Sequence, residues 1–480
     1  MGQAFQNNSC NPFLAPSGTC ELGNLAQYAI NVADPSNVVA GIQFAQAKNI
    51  RLIVKNTGHD FLGRSSGAGS LALWTHNLKT VSFLSNYKGR HYSGPAMRLG
   101  AGVQAQEAYA AASAHGYRVV GGSCPTIGIV GGWLPGGGHG PLQSAYGLGA
   151  DNALEYEVVT IKGRHTTASP TQNADLYWAL SGGGGGTYAI VLSVTMRAHR
   201  DGPVAGTEWA FLNTNPTTYW AAVEAWAKHL QAIQQNFPTL NTAAAFNQES
   251  FFASTTLPDA INPNKLHEAL SPFSQKLASL NITLVSNRTI LSPSFNEHFK
   301  ASSAGGSNNN AIGSRLIPRA LVQDHKRLSG LIKKVRTIAT SNSALMFGFF
   351  AANVSTARVG IDASLNSVLP AWRDSAFHLG FVVDQAFTAS WAEMQTNQAT
   401  INGYMDEFRA MTPGGGSYAN EASYNYVHWK TDYYGANYER LLAIKRKYDP
   451  GNVLWGGVNV GGDLMTVAGD GRLCRATEKI

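Results

Sequence analysis

Two nucleophilic side chains stand in glycine-rich loops of this sequence. His59 lies in Lys55-Asn56-Thr57-Gly58-His59-Asp60, directly after the apolar run Leu52-Ile53-Val54. Cys124 lies in Gly121-Gly122-Ser123-Cys124-Pro125-Thr126-Ile127. An imidazole and a thiolate can each attack an electron-poor carbon, so the pair could bond an electrophilic ring. Binding a phosphate would require neither. The loops themselves do suit phosphate, because successive free N–H groups cradle oxyanions and glycine lets the backbone approach a ligand closely. Three such stretches, residues 56–69, 121–149 and 182–186, fall in one part of the chain. One phosphate would need one loop; three point to a long, flat dinucleotide.

The elements that must position these loops can be read around them. Asp34 can cap a helix that has Pro35 in its first turn and Val38, Val39, Ile42 and Ala45 at helical spacing. Strands are expected at 51–55, 98–103, 154–161 and 187–197, and helices at 104–115 and 174–180. Alternating elements predict α/β or α+β architecture. Residues 201–410 show more aromatics and longer helical patterns, at 218–235 and 321–339, with a polar loop at 303–310. Gly414-Gly415-Gly416 marks a joint. A last helix is expected over 436–448, stopped by Asp449-Pro450-Gly451-Asn452.

Several functions are excluded. No Gly-x-x-x-x-Gly-Lys-Ser/Thr occurs, and no glycine motif opens a helix with an acidic residue about 20 positions on, so neither a P-loop nor a Rossmann site is expected. Cys-x-x-Cys and His-Glu-x-x-His are absent and the 13 histidines are scattered in sequence, so no metal is expected. Charged residues are only 14% of the 480, which argues against a disordered chain or a coiled coil. The longest apolar run, 344–352, is about half a membrane span, so a soluble chain without membrane association is expected. The net charge of +7 is dispersed, and Lys445-Arg446-Lys447 reads as a solvated helix face; no nucleic acid partner is expected. Cys10 and Cys20 read as one local disulfide, leaving Cys124 and Cys474 unpaired. With sequons at Asn7, Asn281, Asn287 and Asn353, this suggests a secreted protein whose signal peptide has been removed. Aromatics at 10% leave a carbohydrate-binding or glycosidase module open, although no carboxylate pair is recognisable.

Many stretches match one family in its order. They are Lys55 to Asp60, Cys124 to Gly128, Gly136-Gly137-Gly138-His139-Gly140-Pro141-Leu142, Tyr146 to Asn152, Gly182 to Tyr188, Tyr418-Ala419-Asn420-Glu421, and Asn437-Tyr438 through Tyr448-Asp449-Pro450. The chain resembles a berberine-bridge-enzyme-like oxidase of the vanillyl-alcohol oxidase superfamily, of fungal secreted type. The resemblance implies an α+β fold. A two-lobed FAD-binding domain over 1–200 would be followed by a substrate domain over 201–415, an antiparallel sheet covered by helices. A segment over 416–480 would return to the first domain.

It also implies FAD held bicovalently, through His59 to the 8α-methyl and Cys124 to C6. Further cofactor contacts would come from Lys55, Asn56, Thr57, Gly58, Asp60, Ser65, Thr126, Ile127, Gly128, Gly131, Gly132, Gly136, Gly137, His139, Gly140, Asp151, Ile190 and Asn420. The implied reaction is hydride transfer from an alcohol-bearing small molecule, a carbohydrate or secondary metabolite, to flavin, with O2 as acceptor giving H2O2. Tyr418 matches the family's tyrosine base and would need a nearby cation to lower its pKa. Glu421 is the rival base and departs from the tyrosine of many plant relatives; Tyr424, Tyr426 and His428 are further rivals. Ile127 occupies a position where a bulky side chain accompanies poor oxygen use, so a dehydrogenase is the alternative, as is a flavin-containing binding protein. A monomer is expected.

Overall fold

In a computed structural model, residues 10, 20–302, 309–468 and 471–476 are described; the sequon at Asn7 lies outside them. The Asp34 carboxylate accepts the N–H groups of Ser36 and Asn37 and starts the helix Pro35–Ala47. This helix buries Val38, Ile42 and Ala45 against Leu52, Leu71 and Leu73. Those leucines belong to a three-stranded parallel sheet ordered Tyr28–Asn31, Leu71–Trp74, Leu52–Lys55. The strand Leu52–Lys55 runs straight into the His59 loop, so the apolar run fixes where that loop begins.

A second sheet is antiparallel, in the order Val81–Lys88, Ser93–Gly100, Ile190–Arg197, Ala153–Val159, His165–Ala168. The expected helices at 104–115 and 174–180 form as Ala105–Ser113 and Ala174–Leu180.

The third sheet has seven antiparallel strands, ordered Ser286–Ser292, Val204–Leu212, Ser250–Pro258, Asn241–Phe246, Leu345–Ala351, Ser375–Gln385, Asn309–Pro318. Helices Pro216–Asn236, Asn264–Ser279, His325–Ser341 and Trp391–Met411 accompany it. The antiparallel sheet covered by helices that the resemblance implied is present, and the helix expected at 218–235 forms as Pro216–Asn236; the residue pattern by itself shows only the helices. Ser375–Gln385 is buried at seven of its first nine positions, on both faces, so no two-residue alternation shows. The apolar run at 344–352 is the strand Leu345–Ala351. The helix expected over 321–339 is split: Asp324 is extended, and its side chain caps a new helix by accepting the N–H groups of Lys326 and Arg327.

A second correction concerns the basic cluster. Lys445 is buried, and only Arg446 and Lys447 face outward. Its ammonium donates to Asp449 Oδ2 at 2.6 Å, Leu454 O at 2.7 Å and Thr187 O at 2.8 Å. The first bond closes the helix Tyr438–Tyr448 onto the following turn, and the last reaches the end of the five-glycine run. Leu454 also forms a parallel bridge to Leu52, so the chain's end is fastened beside the strand that launches the His59 loop. Removing one partner of a buried pair leaves the other charge uncompensated. Lys445→Met should cost about 3–5 kcal/mol in urea unfolding followed by tryptophan fluorescence; a loss under about 1 kcal/mol, the range of exposed pairs, would contradict this account.

Candidate active site

The three glycine loops converge on one cleft. Asn56, Thr57, Gly58, His59, Asp60, Ser65, Ile127, Gly128, Gly131, Gly132, Tyr418, Asn420 and Glu421 line it, as do Gly185 and Gly186 of the glycine run. Cys124 and Thr126 stand at its edge. The Thr126 hydroxyl is 2.8 Å from His59 Nε2 and 3.5 Å from Cys124 Sγ, so one hydroxyl touches both candidate attachment atoms. Burial pushes the His59 imidazolium down, leaving a neutral ring with a lone pair available at neutral pH.

Close backbone approach explains the glycines. A Cβ on Gly128 would run into the amide of Asn56 and one on Gly136 into that of Asn420, whereas Gly132 and Gly186 face open space. The Asn56 amide donates to Ala101 O at 2.6 Å and Thr75 Oγ1 at 3.0 Å, which anchors the loop. Its Oδ1, like Nη1 of Arg64, is buried with no hydrogen-bond partner among the described residues. A glycine-lined cleft carrying an orphaned acceptor and an orphaned guanidinium N–H suits a polar, anionic dinucleotide.

Arg64 is the main residue that sequence reading missed. Its Nε donates to Asp60 Oδ1 at 2.7 Å and its Nη2 to Asn420 Oδ1 at 3.2 Å. It lies four residues after Asp60 in the loop already singled out, and that spacing was the available signal. Val54, Phe61, Thr75, Trp133, Ala189 and Val191 also line the cleft unforeseen.

Several expected contacts do not reach the cleft. Ile190 packs into the core with Leu52 and Leu73, and its neighbours Ala189 and Val191 face the cleft instead. Asp151 is held by Arg373 at 2.6 Å and Asn366 at 2.8 Å. Lys55, Gly136, Gly137 and Gly140 stand behind the lining; at Gly140 a Cβ would strike the carbonyl of Gly121. His139 lies behind it too, its Nε2 2.8 Å from Glu421 Oε1.

The segment 418–421 is a turn rather than extended, closed by the Glu421 N–H on Tyr418 O at 2.9 Å. Tyr418 and Asn420 nonetheless meet. The Asn420 amide donates to the Tyr418 hydroxyl at 2.9 Å, and to Gly132 O at 3.1 Å and Trp133 O at 3.0 Å. The backbone N–H groups of Gly138 and His139 also face the Tyr418 oxygen. The expected lowering of the tyrosine is not found: burial and the Glu421 charge push it up against these three donors, and Arg64 does not offset them. For Glu421, burial opposes the charge, but His139 and then His378 outweigh it and hold the carboxyl low. Of the rivals, His428 is exposed, Tyr426 donates to Asp406 at 2.8 Å, and neither lines the cleft; nor does Tyr424.

The FAD binding domain family matches residues 26–169, and the family "berberine and berberine like" matches 417–460. The sequence is 44% identical to a VAO-type flavoprotein oxidase of Thermothelomyces thermophilus, over 99% of this chain and 83% of that protein. It is 39% identical to a bifunctional decalin synthase of Penicillium decumbens, over 99% and 83%. A crystal structure of a VAO-type flavoprotein from Myceliophthora thermophila superposes with a TM-score of 0.90 at 43% identity, covering 99% of this chain and 87% of that one. A glucooligosaccharide oxidase from Acremonium strictum, whose FAD is 6-S-cysteinyl and 8α-N1-histidyl, shares the fold at a TM-score of 0.72 and 20% identity, over 91% and 92%.

Asp60 gives a pH test of the cleft's scaffold. Burial disfavours its charge, but Arg64 outweighs burial and holds the carboxyl below the usual range. A depressed folded-state pKa contributes stability that is present above the unfolded value, near pH 4, and is lost as pH falls below it. Asp60→Asn should therefore lower stability at pH 7 by about 3–5 kcal/mol. Its deficit relative to the unsubstituted protein should shrink below about pH 4 in denaturant unfolding series. A deficit independent of pH would contradict this.

Proposed function

The chain belongs to the berberine-like, VAO-type FAD-linked oxidoreductases, and we propose that it oxidises a CH–OH group of a small molecule, a carbohydrate or secondary metabolite. The observation that carries the proposal is the convergence of His59, Cys124, Tyr418, Asn420 and Glu421 on one cleft. Bound FAD supplies the two-electron acceptor, and O2 takes the electrons onward to give H2O2. His59 and Cys124 would hold the cofactor covalently, and the loops 56–65, 127–132 and 185–186 would cradle it. Residues 1–200 form the FAD domain, 201–415 the substrate domain and 416–480 the returning segment.

Tyr418 orients the substrate hydroxyl and relays its proton, taking it up as its own phenolic proton passes to the Glu421 carboxylate. Its oxygen is gripped by Asn420 and two backbone N–H groups, an arrangement that favours negative charge there once a proton is lost. Glu421 lies one turn away, ionised and able to take the proton on. The Cys10–Cys20 disulfide supports a secreted protein, acting as a monomer. Ile127, lining the cleft, favours a second reading, a dehydrogenase with slow oxygen reaction.

Trichloroacetic acid should leave yellow flavin on the precipitated protein. His59→Ala and Cys124→Ala should each retain it and the double variant release it; free FAD from the unsubstituted protein would sink bicovalency. In anaerobic reduction by a good substrate, found by screening sugars and phenolic alcohols, Tyr418→Phe should be slower by about 10²–10⁴, the usual cost of a lost general base. Flavin content should be unchanged. A rate within a few-fold would move the role to Glu421. Admitting air to the reduced protein separates oxidase from dehydrogenase.

A further inference from the structure

His139, His378 and Glu421 come from remote stretches of chain and meet behind Tyr418. His139 follows the glycine-rich loop, His378 lies on the strand Ser375–Gln385, and Glu421 follows the Tyr418 turn. His139 Nε2 is 2.8 Å from Glu421 Oε1, and His378 Nδ1 is 3.8 Å from Glu421 Oε2. One ligand atom from each of the three lies within 4.8 Å of the others. The histidines scattered in sequence are thus, for these two, neighbours in space.

His378 is the residue that needs explaining. It is 0% exposed, and neither ring nitrogen has a hydrogen-bond partner among the described residues. Its walls are aromatic: the rings of Phe350, Trp372 and Tyr418 are centred 5.7, 5.7 and 5.9 Å away. A buried polar group left unsatisfied costs about 1–3 kcal/mol. A simple His139–Glu421 hydrogen bond accounts for two of the three residues and leaves His378 without a role.

We propose that His139, His378 and Glu421 form a mononuclear site for a divalent transition-metal ion of the zinc class. Two imidazole nitrogens and one carboxylate suit such an ion. Magnesium and calcium, which take six or more oxygen ligands, find one carboxylate here. Tetrahedral zinc, about 2.0–2.1 Å from each ligand, sets neighbouring ligand atoms roughly 3.3 Å apart. The two histidines stand 2.8 and 3.8 Å from the two oxygens of Glu421, on either side of that value, and with the three ligand atoms up to 4.8 Å apart the side chains must draw together for one ion to bind all three. Glu421 also lines the cleft, so the ion would replace a net negative charge beside Tyr418 by a positive one. The site stands on these three side chains and does not depend on which substrate is oxidised.

The test uses the flavin-loaded protein, stripped with EDTA and dialysed, then titrated with zinc sulfate in a calorimeter. The expected result is one ion per chain with micromolar or tighter affinity, weakened about 100-fold or more in His378→Ala. Retained flavin absorbance reports that the variant is folded. Crystals of the unsubstituted protein grown with zinc should show an anomalous peak between the three side chains, which decides the matter if the variant does not fold. No stoichiometric binding, affinity unchanged in the folded variant, or a peak only at surface histidines would overturn the proposal.

Discussion

The side-chain amide of Asn420 joins three parts of the chain that have no local reason to stay together. Its nitrogen donates to the carbonyls of Gly132 and Trp133 and to the Tyr418 hydroxyl, and its oxygen accepts from Arg64. Through Arg64 it reaches Asp60 and the loop carrying His59. The glycine-rich loop, the His59 loop and the tyrosine turn therefore take their mutual positions from one planar group. A shorter or charged side chain could not reproduce both its donor and acceptor roles. Gly136 is small because Asn420 occupies the space its side chain would need.

Around that amide the charges are arranged in buried opposites. Asp60 faces Arg64, and Asp432 faces Arg315 at 2.6 Å. The first braces a single loop and the second joins segments 117 positions apart, both in buried surroundings where unpaired ions would be costly. The modest overall charge content of the sequence thus understates its electrostatics, since several of its few ions do structural work in the interior.

The loops were legible because their chemistry is written in residue types: a histidine and a cysteine among glycines have few other uses. Tyr418, Asn420 and Glu421 came instead from the family resemblance of the stretch 418–421. Ile190 shows the limit. The strand Ile190–Arg197 is buried on both faces, so nothing in its composition says which residues look into the cleft, and a shift of one position exchanges the faces. Asp151 is a conspicuous acid in a matching stretch, yet its partner Arg373 lies 222 positions away and only folding reveals the pair. The residue pattern alone did not reveal the seven-stranded sheet that the resemblance implied, since a strand such as Ser375–Gln385 is buried on both faces and shows no alternation. The aromatic chamber around His378 was not legible at all, because it is assembled from strands and turns without sequence proximity.

The fastening of the chain's end has a consequence for biosynthesis. The Lys445 ammonium donates to the carbonyls of Thr187 and Leu454, and Leu454 lies against Leu52. The first two sheets can pair as soon as residue 197 has emerged from the ribosome, since all their strands precede it. The floor of the cleft, however, waits for Tyr418, Asn420 and Glu421, and its outer brace for Leu454. During synthesis the nascent chain carries a half-built cradle through some 250 further residues, at roughly 5–20 residues per second. A ribosome stalled in that interval would leave a protein with all three glycine loops and no catalytic wall, and quality control would see an open cleft.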